Sequence, residues 1–297
     1  MAARWLKVLA AAPLMLSALS AAPARALVPY VVVPSEQNLE GAGLGIAQAA
    51  ARLLRLGQAE DAARLAALTV QLIPSDPRGW VLLAEAQLRS NQDKEAAVSL
   101  AKARELDPKN AGILFAQGSL ALRASQPQQA ADLIQQGLKL DGKNAGAYFD
   151  LGNAHILMGR SGEALAAFEK AAGLRKNFWE AINNQGLVLF EQGNSKAAIS
   201  RWREVLKIKP DAAEPTLALA ATLFANGPEN RSEAVELVGK ALDTEPNYVL
   251  DSHQKEQLWG PKLRSTTAEL FKLAELKPVV DRALANASPE GESSDEE

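Results

Sequence analysis

The residues best suited to chemistry are few in this chain, and their spacing is poor for catalysis. There are two histidines, His155 and His253, and no cysteine. Without cysteine there is no thiolate nucleophile, disulfide or thiolate metal site. His155 falls in an apolar helical stretch, where a packed, hydrogen-bonded ring outweighs a metal or catalytic role. His253 falls on a polar stretch beside Glu256 and Gln257 and reads as a surface residue. Gly43-Leu44-Gly45 follows Gly41, but no strand precedes it, as a phosphate-binding loop requires. No pair of carboxylates stands out from ordinary solvated helix charge. These residues argue for a chain that is not an enzyme and needs no metal or cofactor. One charged pattern does recur: Arg55, Arg89 and Arg123 are spaced by 34 residues. On regular elements they form a basic ladder, a seat for an acidic segment of a partner or for the chain's own acidic tail.

Composition says what kind of elements carry these residues. The 297 residues are rich in Ala and Leu, aromatics are 5%, and no long β-branched run suggests a sheet. Such a chain is mostly helical, with enough apolar residues for a core. The net charge is −3, and Glu290, Glu292, Asp295, Glu296 and Glu297 crowd the last eight residues. The body is therefore close to neutral. It lacks the basic field that nucleic acid binding requires.

The N-terminus has the three-part layout of a secretory leader. Arg4 and Lys7 precede an apolar stretch from Val8 to Ala22, and small-x-small sites follow at Ala22-Pro23-Ala24 and Ala24-Arg25-Ala26. The apolar run is short for a bilayer span and Pro13 interrupts it. Residues 1–26 are expected to be a signal peptide cleaved after Ala26. The alternative is an uncleaved anchor.

Between residues 43 and 248 the chain repeats itself. Ala50, Ala84, Gly118, Gly152, Gly186 and Ala220 recur every 34 residues. Ala62, Ala96, Ala130, Ala164, Ala198 and Ala234 form a second column, longer by two residues only in the last unit. A third column near the end of each unit holds Pro74, Pro108, Gly142, Lys176, Pro210 and Pro246. The units are 43–76, 77–110, 111–144, 145–178, 179–212 and 213–248. Small residues at positions 8 and 20 let two helices approach closely, while Trp80, Leu83, Tyr148, Leu151, Phe168 and Trp202 fill the space around that contact. Gly57, Gly159, Gly193 and Gly227, with Asn91 and Ser125, mark a left-handed residue between the helices.

These columns resemble the tetratricopeptide-repeat family, whose unit reads large residue, Leu-Gly, Tyr in its first helix and Ala, aromatic, Ala, Pro in its second. The unit 145–178 matches best, through Tyr148, Leu151, Gly152, Ala164, Phe168 and Ala171. Gln117 and Gln185 depart from the Leu column and His155 from the Tyr column. The resemblance implies an all-α fold, a right-handed α-solenoid of six helix-turn-helix repeats. After Tyr248 the pattern fades into helices expected near 251–259, 261–275 and 278–286. Residues 249–287 then form a C-terminal cap over the last apolar face, through Trp259, Leu263, Leu270, Phe271 and Leu273. Residues 27–42 are expected as an extended lead-in, and 288–297 as a disordered acidic tail.

In this family, positions 2, 5, 6, 9, 12 and 13 of the first helix face an inner groove. Here they place Phe115 and Phe149 at position 5, and Ile156, Phe190 and Phe224 at position 12. Such an apolar stripe suits a peptide or helix. Asn153 at position 9 and Asn184 at position 6 of the next unit match the asparagine pair of the family's peptide clamps. An amide donates and accepts, so it can hold a backbone without reading its sequence. The cations that grip a terminal carboxylate are absent, because the matching positions hold Phe149, Glu214 and Ala218. The expectation is a protein-binding scaffold or assembly factor holding an internal segment of a protein partner. Val33-Pro34-Ser35 and Leu39-Glu40-Gly41-Ala42-Gly43 look similar to cyanobacterial and plastid members, some of which help assemble photosystem I. This likeness implies the thylakoid lumen and peripheral association with a membrane complex. The alternative is a periplasmic structural protein of the cell envelope.

Overall fold

In the computed structural model, residues 35–288 are described. The expected leader at 1–26, the lead-in at 27–34 and the tail at 289–297 lie outside the described residues. Within them there are fifteen α-helices, three short 3-10 turns and no strand. None of these helices is long and apolar enough to cross a membrane.

The first twelve helices pair off along the chain. They are α1 (Glu36–Arg55) with α2 (Ala59–Leu72), α3 (Pro77–Arg89) with α4 (Asp93–Leu106), and α5 (Ala111–Arg123) with α6 (Pro127–Leu140). Then come α7 (Ala145–Leu157) with α8 (Ser161–Leu174), α9 (Trp179–Glu191) with α10 (Ser195–Ile208), and α11 (Ala213–Ala225) with α12 (Arg231–Thr244). Local sequence explains where the first helices start. Asp76, Asn110 and Asn144 each accept a backbone N–H from the first turn that follows, at 2.9–3.0 Å. Where each pair reverses, Gly57, Asn91, Ser125, Gly159 and Gly193 have φ between 56° and 84°. Gly227 differs, with φ 134° and ψ 163°, because the insertion Pro228–Asn230 forms a 3-10 turn there.

Within each pair, the alanines at position 20 are all 0% exposed. Opposite them, a methyl group on Gly186 would sit 2.5 Å from the Trp202 indole nitrogen, and one on Gly118 would sit 2.5 Å from Ile134. The glycines are thus required by the close approach of the two helices. First helices of successive units touch one another, as α1–α3, α5–α7 and α9–α11 do. This row forms the inner, concave side of the array.

Two expectations are corrected here. Residues 36–42 are not extended: Ser35 caps a helix by accepting the Asn38 N–H at 3.3 Å, and α1 runs on without a break. The helix expected at 261–275 ends at Phe271. Leu273 then turns extended and a 3-10 turn, Ala274–Leu276, leads into the last helix.

The C-terminal segment consists of α13 (Asp251–Glu256), α14 (Pro261–Phe271) and α15 (Lys277–Asn286). It does more than cover the end of the array. Helix α14 packs on α11 and also on α9, the first helices of the last two units. It therefore lies in the concave groove. Leu263 and Leu270 of α14 join Phe190, Leu217 and Ala218 in one buried cluster.

Candidate groove site on the first helices

The return of α14 divides the groove. From the end of α9 through unit six it is filled by the chain itself, and Leu217, Ala218 and Ala221 there are fully buried. Phe190, expected as a groove wall, is 0% exposed. Its ring packs on Trp202, with centroids 6.3 Å apart, and Lys262 Nζ lies 4.8 Å from its centroid. Phe224 packs, half-buried, against the same cluster. The Phe190 ring is closed to a partner, with Lys262 of α14 over its face.

From unit three to the start of α9 in unit five, α14 does not fill the groove and its floor is polar. Asn184 Nδ2 donates to Asn153 Oδ1 at 3.1 Å, so the two asparagines meet across adjacent units. Asn183 Nδ2 donates to Asn184 Oδ1 at 3.3 Å, and Trp202 Nε1 donates to Asn183 Oδ1 at 3.1 Å. Asn153 Nδ2 has no protein acceptor among the described residues and can donate to a ligand. One unit earlier the same two positions hold Ser119 and Asp150, and the Ser119 hydroxyl donates to Asp150 Oδ2 at 2.5 Å. Burial pushes the Asp150 carboxyl up, against the downward pull of that bond. Sequence reasoning missed this second pair, although the spacing from position 9 to position 6 of the next unit could have found it.

The open groove ends in a pocket of about 570 Å³ between units four to six and the cap. Phe149, Asn153 and Asn184 line it, together with Trp179, Tyr248 and Leu258. Leu258 holds a left-handed φ of 63° at the turn that brings the cap over the groove. Glu214 on α11 is a further wall. Glu214 is half-buried, and its carboxyl accepts Trp259 Nε1–H at 3.0 Å. Burial pushes this carboxyl up to about 7, against the hydrogen bonds of Trp259, Asn183 and Tyr248 that favour its charged form. Burial and the neighbouring Glu214 raise the Tyr248 phenol in turn.

The other candidates settle elsewhere. Phe115 is half-buried, with its ring over Gly137 of its own unit. Phe149 serves both core and groove, stacking at 5.7 Å on Phe168 and 5.3 Å on Phe178. Ile156 is half-buried against the cluster of Ala164, Phe168 and Val188. In the basic ladder, Arg89 Nη1 donates to the Leu54 carbonyl at 3.2 Å and Arg123 Nη1 to the Leu88 carbonyl at 3.3 Å. These two arginines cap the last turn of the preceding unit's first helix, where a cation is favoured. They also pair with Glu85 and Asp93. Only Arg55, with no earlier unit before it among the described residues, makes no such contact. Leu157, Glu191 and Ala225 continue the column without a cation.

His155 is packed as expected, but its Nδ1 finds no hydrogen-bond partner among the described residues. Burial lowers its pKa. His253 is half-buried and meets Tyr248 edge-on, with centroids 4.7 Å apart.

Comparison with known proteins agrees with this fold. The family described as Tetratricopeptide repeat matches residues 115–178. The structure of YrrB, described as a TPR protein with an unusual peptide-binding site, is 24% identical with a TM-score of 0.52, covering 65% of this chain and 99% of that one. MamA from Desulfovibrio magneticus RS-1 is 19% identical with a TM-score of 0.53, covering 59% and 98%. PilF of Pseudomonas aeruginosa is 18% identical with a TM-score of 0.51, covering 71% and 97%. A comparison of the sequence with curated proteins returns no match. At these identities the likeness speaks to the fold: the protein is built as a tetratricopeptide-repeat α-solenoid, and its third and fourth units carry the family's sequence pattern.

Proposed function

We propose that this protein is a non-catalytic scaffold that holds an internal peptide segment of a partner protein in the open groove of units three to five. The observation that carries this reading is the Asn153–Asn184 pair on the floor of the groove pocket. The two amides orient each other and leave the Asn153 donors free. A peptide carbonyl would accept from them, and Phe149 offers apolar surface beside the backbone. The YrrB structure, described as having a peptide-binding site, supports this use of the fold.

The finer reading is an exported assembly factor, on the basis of the leader at 1–26 and the lead-in similar to plastid and cyanobacterial members. It would act at the periphery of a membrane complex in the thylakoid lumen, or in the periplasm as part of the cell envelope. The test is mild crosslinking in the native host with the full chain and an Asn153→Ala/Asn184→Ala variant. A defined partner lost in the variant is the expected result. The same partners with both chains would sink the groove assignment. Fractionation of the tagged chain decides the compartment.

A further inference from the structure

The chemistry of the pocket says more about the segment it holds. Four glutamates from four different elements line it: Glu180 on α9, Glu214 on α11, Glu245 after α12 and Glu256 on α13. Glu214 and Glu245 already accept Trp259 Nε1–H and the Asn247 N–H, while Glu180 and Glu256 have no such bond among the described residues. None of them takes part in a salt bridge among the described residues. The one lysine of the lining, Lys209, has its Nζ on Asp211 at 3.1 Å and so does not neutralise the pocket. Phe149, Trp179 and Tyr248 supply aromatic walls between these carboxylates. We propose that this pocket receives a cationic side chain, lysine or arginine, from the peptide held in the groove. The inference rests on the groove reading above.

Three observations support it. Carboxylates lining one concave space without a neutralising cation make it negative, and a cation is the ligand that such a space favours. The aromatic walls suit the same ligand, because they cover an alkyl stem and attract a cation to their faces. The adjoining stretch of groove already holds such a residue. There Lys262 Nζ sits over the Phe190 ring and donates to the Phe190 carbonyl at 3.2 Å. The backbone N–H groups of Lys262 and Leu263 donate to the Glu191 carboxylate at 3.2 and 2.8 Å. The ring and carbonyl of Phe190 thus hold one lysine ammonium within the fold, while the Glu191 carboxylate holds the backbone that carries it. Among the described residues no three His, Asp or Glu side chains gather closely enough to share a metal ion. The spacing therefore suits an extended organic cation. The same charge disfavours an acidic segment, including the chain's own tail, in this pocket.

The test pans a random nonapeptide display library on the full chain. The tightest peptides are synthesised with their basic residue intact or replaced by glutamine, and binding is read by fluorescence anisotropy. The protein arms are wild type, Glu180→Gln/Glu256→Gln, and Asn153→Ala/Asn184→Ala. Both glutamates reach solvent, so the Gln variant keeps its fold, which circular dichroism checks. The selected peptides are expected to share a Lys or Arg at one position. Its replacement by Gln should weaken binding about ten-fold, within the range for close charge pairs. The Glu180→Gln/Glu256→Gln variant should remove that preference and leave the Gln peptide unchanged. Peptides without a shared basic position, or a preference that survives the glutamine variant, would overturn the proposal. Should such peptides still depend on the asparagine pair, the groove reading stands and only the cation is wrong. Peptides indifferent to both variants, or none selected, would remove both.

Discussion

At the scale of the residue, two groups carry measurable consequences. The Glu214 carboxyl has an ordinary value of 4.5 and is pushed up to about 7. The folded state therefore binds more protons than the unfolded chain between those values. Stability from this site is fully present below about pH 4.5 and is lost as pH rises through 7. The loss is about 3 kcal/mol by linkage. Glu214→Gln keeps an acceptor for the Trp259 indole and removes the titration. The variant is expected to lose this pH dependence and to be the more stable chain at pH 8. Urea unfolding followed by tryptophan fluorescence at pH 5 and pH 8 checks it, and equal slopes in both chains would contradict it. The second group is Gly186. Alanine gains about 1 kcal/mol of helix propensity. Its methyl would lie 2.5 Å from the Trp202 indole nitrogen, and overpacking of that kind costs about 1–3 kcal/mol. Gly186→Ala is therefore expected to destabilise. Gly173→Ala, with nothing within 4 Å of the added carbon, should stabilise by up to about 1 kcal/mol. Thermal unfolding of the two variants should move in opposite directions.

At the scale of the element, the most consequential contact joins α9 to α14. Glu191 at the end of α9 accepts the first N–H groups of α14 and so caps that helix from another part of the chain. Gly260 stands where a side chain would run into the Glu191 carboxylate. Glu191→Ala removes two charge-assisted hydrogen bonds, at a cost of about 2 kcal/mol. Hydrogen exchange over residues 261–271 should rise in this variant while α1–α8 keep their protection. Uniform loss across the array would mean that the contact is not local. The arginine column obeys the same logic. Arg89 and Arg123 bind the carbonyl end of the helix before them, so their period of 34 follows from helix capping between units. In the sequence these residues look like a ladder offered to a partner. The carbonyl groups that engage them belong to the preceding unit, and nothing in the residue pattern shows this.

At the scale of the whole molecule, the chain's own C-terminus occupies one part of the groove, with α14 packed on α9 and α11. Removing residues after Leu250 would take Leu263 and Leu270 away from Phe190, Leu217 and Ala218 and expose apolar surface on α9 and α11. Contiguous apolar surface of this kind drives association. The truncated chain is expected to bind a hydrophobic dye and to form larger species than the full chain. Light scattering at matched concentration reads this. A truncated chain that stays as dispersed as the full one would mean that the cap adds little cover.

The sequence by itself determined the repeat, its 34-residue period, the helix pairs and the polar Asn153–Asn184 placement. Each of these rests on a steric or capping demand met within one unit or between two neighbours. A small residue facing a large ring, or a left-handed residue at a reversal, leaves its mark at a constant spacing. Glu180 and Glu214 also share one register, position 2 of their units, so half of the acidic pocket could have been read from the columns. Only the tertiary structure decided which part of the groove is open. The closing contact joins Glu191 to Lys262, 71 residues away, and it lies beyond the last repeat, where no period constrains the sequence. Glu245 and Glu256 reach the pocket by the same return of the chain. Burial of Phe190 and the raised proton affinity of Glu214 follow from it as well, since both depend on what packs against a residue, and not on where it falls in a repeat.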